Sequence, residues 1–245
     1  MGKGFTGAIL TVMGVKSHIA TTTGKTVIND RMVTIHFHSE TLLNTEGEVP
    51  GDWLRLWFPH ESRPGKLYQR AYTLTNVDAD AGPFALPFVL HEPLGPASAG
   101  ATRCEAGESL EVMRYPGIPF AIPDPAPRGF LFLGDLTSYP AICSILETLD
   151  GEIPATAYLI AHDPLDYTFD FPQGEHITAQ WISNEQSFID HIADTDYTDF
   201  YTWIGAESSE TRAAKKHLQT HAGMPKTHMN AQGYWNKGRA MGKSN

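Results

Sequence analysis

The stretch PGIPFAIPDPAPRG, residues 116–129, carries five prolines in fourteen residues. No helix interior and no central strand accepts that density, because each proline fixes φ and removes a backbone donor. It reads as a linker, and the chain is patterned differently on its two sides. Before it, RMVTIHFHSE (31–40), WLRLWF (53–58) and AYTLT (71–75) alternate apolar with polar residues, and FALPFVLHE (84–92) and GESLEVM (107–113) read similarly. Period two without a convincing helix predicts an antiparallel β-barrel. After it, FLFLG (130–134) is apolar throughout, as a strand buried on both faces must be. SYPAICSILETL (138–149) has helical spacing, and ATAYLIA (155–161), HITAQWIS (176–183) and DFYTWIGA (199–206) read as strands. SSETRAAKKHLQTHAG (208–223) reads as a capped helix, Ser before Glu at its start and cations in its later turns. Strand alternating with helix predicts a parallel sheet. The expected architecture is an N-terminal antiparallel Greek-key β-barrel over 1–123, followed by an open parallel-sheet α/β domain over 124–245 with a C-terminal closing segment.

Charge narrows the function classes. The formal net charge of −10 opposes nucleic-acid binding, which rests on neutralising phosphates. Residues 129–211 hold fifteen Asp or Glu and no Lys or Arg, whereas 212–245 hold seven Lys or Arg and no acid. Two solvated faces of opposite sign account for most of these residues. A basic tail folded back on an anionic ligand is the alternative. Cys104 and Cys143 make neither a disulfide framework nor a metal quartet, and are expected to be small buried residues in a reducing compartment. No apolar run approaches the ~18 residues of a membrane span. The opening MGKGFTGAILTVMGV is broken by Gly, Thr and Lys16 and lacks a clean cleavage site. MGKGFT fits the loose myristoylation pattern without a second membrane signal. The expected location is the cytoplasm, and the expected state a monomer.

Four short stretches are candidates for chemistry. In RAYTLTN (70–76), strand alternation puts Arg70 and Tyr72 on one face and Ala71 and Thr73 on the other. A cation, a flat ring and a hydroxyl can hold a phosphate and stack a planar ring. In HEPLGPASAG (91–100), the small residues Gly95, Ala97, Ser98 and Gly100 form a loop that would let a diphosphate approach the main chain. GDLTSYP (134–140) and GAESSE (205–210) follow parallel strands, where open α/β sheets bind ligands. The first leads into a helix, whose N–H groups can accept a pyrophosphate, although it is not G-x-G-x-x-G. His36 and His38 share a strand face but lack a third metal ligand. Ser98 in PASAG falls one residue short of a nucleophile elbow and follows a barrel strand, so a hydrolase is disfavoured.

The order of these stretches resembles the siderophore-interacting proteins, flavin-dependent ferric-siderophore reductases related to the ferredoxin–NADP reductase superfamily. The resemblance runs from about residue 30 to 240, through RAYTLT, HEPLGPAS, GDLTSYPAI, WIGAESSETRAAKKHL and GYWNKG (233–238). It implies FAD held by Arg70 at a phosphate, Tyr72 stacked on the isoalloxazine and Thr73 near its N5 edge. His91, Gly95, Ala97 and Ser98 are then diphosphate or ribityl contacts. GDLTSYPAI is similar to the family's GDETALPAI, so Gly134, Asp135 and Thr137 would border the path of NADH or NADPH. Glu207 and the Tyr234–Trp235 pair resemble segments that close near flavin and nucleotide. The implied activity is hydride transfer from NAD(P)H to FAD, then single electrons to a ferric siderophore, with release of Fe²⁺ and no protein metal site. Arg63, Lys66, Lys237 and Arg239 are the candidate cations for an anionic ferric chelate. The chain departs from the pattern at Thr75, Leu136 and Ala99, where the family has Arg, Glu and Trp, and at Ser183–Asn184 in place of His-Arg. The last change weakens a claim on the 2′-phosphate of NADPH. Two other readings stay open: a general NAD(P)H–flavin oxidoreductase of the same fold, and a non-enzymatic siderophore-binding or iron-trafficking protein.

Overall fold

The computed structural model describes residues 16–43, 49–59, 67–114 and 120–238. The chain divides into two compact units, with the described residues up to Arg114 in the first and Phe120–Gly238 in the second. In the first unit, strands β1 (His18–Asn29), β2 (Met32–His38), β3 (Trp53–Pro59), β4 (Leu67–Thr73), β5 (Pro83–Val89) and β6 (Ser109–Arg114) make one sheet. Its order is β4-β3-β6-β1-β2-β5, and every pairing is antiparallel. Thr75 N–H donates to Ala85 O at 3.0 Å and Ala85 N–H to Thr75 O at 2.8 Å. This exchange joins the chain just beyond β4 to β5, so the two edges meet and the sheet curls into a barrel. Alternate residues fill it: Val33, Ile35 and Phe37 from β2, Leu54, Leu56 and Phe58 from β3, and Phe84, Leu86 and Phe88 from β5.

Two elements of this unit escape the sequence pattern. β1 carries HIATTTGKTVIN, of which only Ala20 and Thr22 are buried, so it has almost no apolar period to read. The expected small-residue loop is a helix, α1 (Pro96–Arg103), with Pro at its first turn. Ala97 and Ala101, one turn apart, pack into the barrel core. Small residues here let a helix approach β3 closely: a Cβ at Gly100 would stand 3.3 Å from Phe58 Cδ1.

The second unit contains β7 (Gly129–Asp135), α2 (Tyr139–Leu146), β8 (Ala155–Ala161), β9 (Ile177–Ser183), α3 (Phe188–Ile192), β10 (Phe200–Glu207), α4 (Ser208–Thr220) and β11 (Met229–Trp235). The sheet order is β11-β10-β7-β8-β9, with all pairings parallel. Central β7 is buried at every position because both faces are covered. Phe130 and Phe132 point into the core with Ile142 and Ile145 of α2, while Leu131 and Leu133 point into the core with Ala214 and Leu218 of α4. From β7 the chain runs outward to β8 and β9, then crosses to the other side of β7 for β10 and β11. The connections after β7 and β10 therefore diverge, leaving a crevice at the carboxyl ends of those two strands. The polar strand β11, MNAQGYW, is an edge strand, again without an apolar period. Among the described residues, no helix is long and apolar enough to cross a membrane.

Candidate functional site

In the first unit, Arg70 and Tyr72 pair across β3 with Leu56 and Leu54, so they lie on the face that lines the barrel. Tyr72 rests on Phe88, ring centroids 3.9 Å apart, and meets Phe58 edge-on at 6.3 Å. Burial holds its phenol well above the ordinary tyrosine range. The ring is thus fixed as a neutral aromatic surface. Arg70 donates from Nη1 to Gln69 O at 2.7 Å and stands over the Tyr68 ring at 5.5 Å. Thr73 is 7% exposed, on the opposite face. Thr75, where the family has arginine, is used by the barrel closure, its hydroxyl donating to Ala85 O at 3.2 Å.

Gly95 precedes helix α1 and offers it no side-chain cap. Pro96 has no N–H, Ala99 N–H is taken by Gly95 O at 2.8 Å, and the N–H groups of Ala97 and Ser98 lack intrahelical acceptors. These donors fit a diphosphate, with the helix dipole favouring the negative charge. His91 is exposed beside them, its ring 3.6 Å from where a Gly95 Cβ would lie. Ser98 turns its side chain inward. It is 3% exposed and its hydroxyl donates to Val89 O at 3.2 Å, so it can offer an anion only its main-chain N–H and is no nucleophile. His36 and His38 bond separately, to Thr26 Oγ1 at 2.9 Å and Ala81 O at 3.1 Å.

In the second unit, the polar residues at the carboxyl ends of the strands converge. Asp135 ends β7 and is 1% exposed. Its Oδ1 accepts from Thr137 N–H at 2.8 Å and from the Thr137 hydroxyl, and its Oδ2 accepts from Trp235 Nε1 at 2.7 Å. At the preceding Gly134 a Cβ would stand 2.5 Å from Ile142 Cδ1 and also strike the Ser138 hydroxyl, so a larger residue would force those side chains to move. Leu136, where the family has glutamate, is 1% exposed and serves the core. Tyr234 lies against Trp203, centroids 5.9 Å apart, and burial raises its phenol pKa, with the Asp135 charge adding to it.

Glu207 ends β10 and caps α4. Its Oε2 accepts from the N–H groups of Ser209 and Glu210 and from the Ser209 hydroxyl, and its Oε1 from Lys237 N–H at 3.2 Å. The cap is this glutamate and not the Ser-before-Glu pair read from the sequence. Burial pushes its carboxyl up, but these bonds outweigh that and hold it below the usual carboxylate range.

Two members of the cluster escaped the sequence reading. His162 follows β8, its Nε2 3.8 Å from Asp135 Oδ2 and its ring edge-on to Trp235 at 5.3 Å. Glu210 lies in the first turn of α4, and one ligand atom from each of Asp135, His162 and Glu210 fits within a 4.8 Å span. Burial lowers the His162 pKa, but the adjoining Asp135 charge, with Glu210 and Asp166, outweighs it and keeps the imidazole above its ordinary value. Burial raises Glu210, against the pull of His162 and with the push of Asp135 and Glu207. The signal was positional: every residue just past a parallel strand is a candidate, and His162 and Glu210 occupy such places in the chain. Of the candidate chelate cations, Lys237 is exposed, and Arg63, Lys66 and Arg239 lie outside the described residues.

Known proteins match both units. Residues 23–119 match the family model for the siderophore-interacting FAD-binding domain, and residues 127–238 match that for the siderophore-interacting protein. The chain is 34% identical over 245 residues to the mycobactin import ATP-binding/permease protein IrtA of Mycobacterium tuberculosis, covering 99% of this chain and 28% of that one. It therefore spans little more than a quarter of that relative. It is 20% identical to the ferric vibriobactin reductase ViuB of Vibrio cholerae, with 88% of each covered. The fold superposes on the siderophore-interacting protein of Acinetobacter baumannii with a TM-score of 0.79 at 20% identity, covering 92% and 93% of the two chains.

Proposed function

This chain belongs to the siderophore-interacting protein family, and we propose that within it the chain is an FAD-dependent NAD(P)H:ferric-siderophore reductase that releases iron as Fe²⁺. The observation that carries the reading is the uncapped start of α1 in a unit that also presents Arg70 and the fixed ring of Tyr72. Anion donors, a cation and a flat aromatic surface are what a flavin dinucleotide requires, so the residues present fit FAD. Arg70, Tyr72, Thr73, His91, Gly95, Ala97 and Ser98 would hold it, Ser98 through its main chain. When bound, FAD supplies the exchange between two-electron and one-electron transfer.

The chain's own part is to bind and orient. In the second unit, Gly134, Asp135, Thr137, Glu207, Tyr234 and Trp235 stand at the switch point, where an open parallel sheet takes a dinucleotide. Asp135 and Trp235 lock one another, so the floor of the crevice is rigid. Lys237, with Arg63, Lys66 and Arg239, would draw an anionic ferric chelate to a protein whose net charge is −10. Fe²⁺, with its lower charge, is held less tightly by hard oxygen donors, so reduction frees the metal and spares the chelator. The reading places this reaction in the cytoplasm. The names of IrtA and ViuB, one concerned with mycobactin import and the other with ferric vibriobactin reduction, support a siderophore as the substrate class.

The test is the visible spectrum of the purified protein during anaerobic addition of NADH or NADPH, then of a ferric siderophore. Oxidised-flavin bands that bleach with one nucleotide and return with the chelate are expected. Bleaching that returns with soluble acceptors but not with the chelate would favour a general flavin reductase. A colourless protein that takes up no FAD yet binds the ferric chelate would overturn the enzyme reading.

A further inference from the structure

We propose that Asp135, His162 and Glu210 form a binding site for one first-row divalent cation at the carboxyl edge of the parallel sheet. The proposal starts from two buried polar atoms without a hydrogen bond, one of which, His162 Nε2, has only the Asp135 carboxylate 3.8 Å away. His162 Nε2 and Glu210 Oε2 are both shut away from solvent, and neither has a hydrogen-bond partner. A buried polar atom left in that condition costs about 1–3 kcal/mol, so two side by side call for an occupant. His162 Nε2 faces the Asp135 carboxylate, and one ligand atom from each of Asp135, His162 and Glu210 lies inside a 4.8 Å span.

The donor set selects the occupant. Donors around a tetrahedral metal bonded at about 2.0–2.2 Å stand roughly 3.3–3.6 Å apart, so the span closes with small rotations of Glu210 and His162. With the imidazole neutral and both carboxylates ionised, as metal ligands must be, the three carry a formal charge of −2, with Glu207 close behind. That field favours a cation. Imidazole with carboxylates suits zinc, manganese or ferrous iron better than calcium, which takes six to eight oxygen ligands. The outer support is present: Trp235 Nε1 and Thr137 hold the Asp135 carboxylate in place, as partners behind a metal ligand do. The site stands on geometry alone and needs neither flavin nor nucleotide. The ferrous product of the proposed reduction belongs to the class it accepts.

Co²⁺ is the probe, titrated into the untagged full chain without nucleotide or siderophore. One equivalent should bind, giving visible ligand-field bands and quenching the indole of Trp235, whose ring lies 5.3 Å from that of His162. Glu210→Gln and His162→Ala should each weaken binding at least tenfold, by the scale of metal-site losses. Trp235→Phe should remove most of the quenching while Co²⁺ uptake, read by the bands, persists. Melting curves of the metal-free variants will separate loss of the ligand from loss of the fold. The stacked pair His217 and His221 on α4, centroids 4.7 Å apart, is the competing position. Uptake abolished by His217→Ala but kept in His162→Ala would overturn the proposal. So would the absence of saturable binding, or binding unchanged in both Glu210→Gln and His162→Ala.

Discussion

Asp135→Asn changes one atom and tests the centre of the crevice. The carboxylate uses both oxygens: Oδ1 for the two Thr137 donors and Oδ2 for Trp235 Nε1. Asparagine offers one oxygen. Turned toward Thr137, it points its NH₂ group at the indole N–H, and turned toward Trp235, it points that group at the Thr137 main chain. Either way a buried donor faces a donor, at a residue 1% exposed where water cannot intervene. A hydrogen bond to a charged group is worth about 1.5–3 kcal/mol, and the orphaned donor costs about 1–3 more. Part of that is returned because a neutral amide is cheaper to bury than a carboxylate. The expected net loss is about 2–4 kcal/mol, which for a chain of this size lowers the melting temperature by about 4–16 °C. Thermal unfolding by circular dichroism, with flavin content held equal, measures it. Trp235→Phe removes the donor but leaves Asp135 its Thr137 bonds, so its cost should be smaller, about 1–2 kcal/mol. A fall below about 2 °C for Asp135→Asn, or a larger fall for Trp235→Phe, would refute the assignment of Asp135 as the shared acceptor.

Other outcomes follow from the same geometry. Glu207→Gln should cost about 0.5–2 kcal/mol through the weakened α4 cap. Because the Glu207 carboxyl is held below its ordinary value, the native chain draws stability from it above the unfolded carboxylate range. That stability is lost as pH falls below about 4, so the wild-type and Glu207→Gln melting temperatures should converge in acid. Gly205→Ala would place a Cβ 2.8 Å from the Trp203 ring and 2.9 Å from Tyr234 Cε1, and overpacking of this kind costs about 1–3 kcal/mol. A melt within 1 °C of wild type, by the scale of about 2–4 °C per kcal/mol, would show that these rings yield. Burial pushes the Cys143 thiol up to about 12, so iodoacetamide at pH 8 should leave it unmodified in the folded protein, as peptide mass mapping would show. Arg70→Ala should lower bound FAD at least tenfold, read as flavin absorbance per protein after gel filtration. Unchanged flavin content would remove Arg70 from the cofactor's phosphate.

The parts of the fold that the sequence announces are those where packing imposes a period. Val33, Ile35 and Phe37 alternate because one face of β2 fills the barrel. FLFLG is apolar throughout because β7 has a core on each face. β1 and β11 bury too little to be forced into such a pattern, and what defines them is pairing with neighbours distant in sequence. The helix at Pro96–Arg103 was hidden for another reason. Gly, Pro, Ala and Ser are turn residues by local preference, and here a close approach to Phe58 demands small side chains in a helix. Site residues divide the same way. Asp135 and Glu207 sit in recognisable loops, whereas the positions of His162 and Glu210 become meaningful only once β8 and β10 lie on opposite sides of β7.

The uneven charge along the chain acquires a structural meaning from β11. The acid-rich stretch supplies Asp135, Glu207 and Glu210, three carboxylates in one crevice, and such a group is stable only if each is given donors or a counter-charge. Part of that compensation comes from the acid-free segment beyond residue 211. Trp235 Nε1 binds Asp135 Oδ2, Lys237 N–H binds Glu207 Oε1, and Trp235 O accepts from the Ser208 hydroxyl beside the cap. Two of these three come from the main chain, so they hold only if β11 is in register with β10, where Glu207 is paired with Trp235. A Cβ at Gly233 would strike Ser208, so the approach is as close as glycine permits. The described cations of this segment stay solvated, with Arg212, Lys216, Lys226 and Lys237 exposed; what it gives the crevice comes from β11 and the residues just after it. Glu210 has the charges of His162 and Lys237 near it but no hydrogen-bond partner at Oε2, and the proposed cation would supply what is missing there.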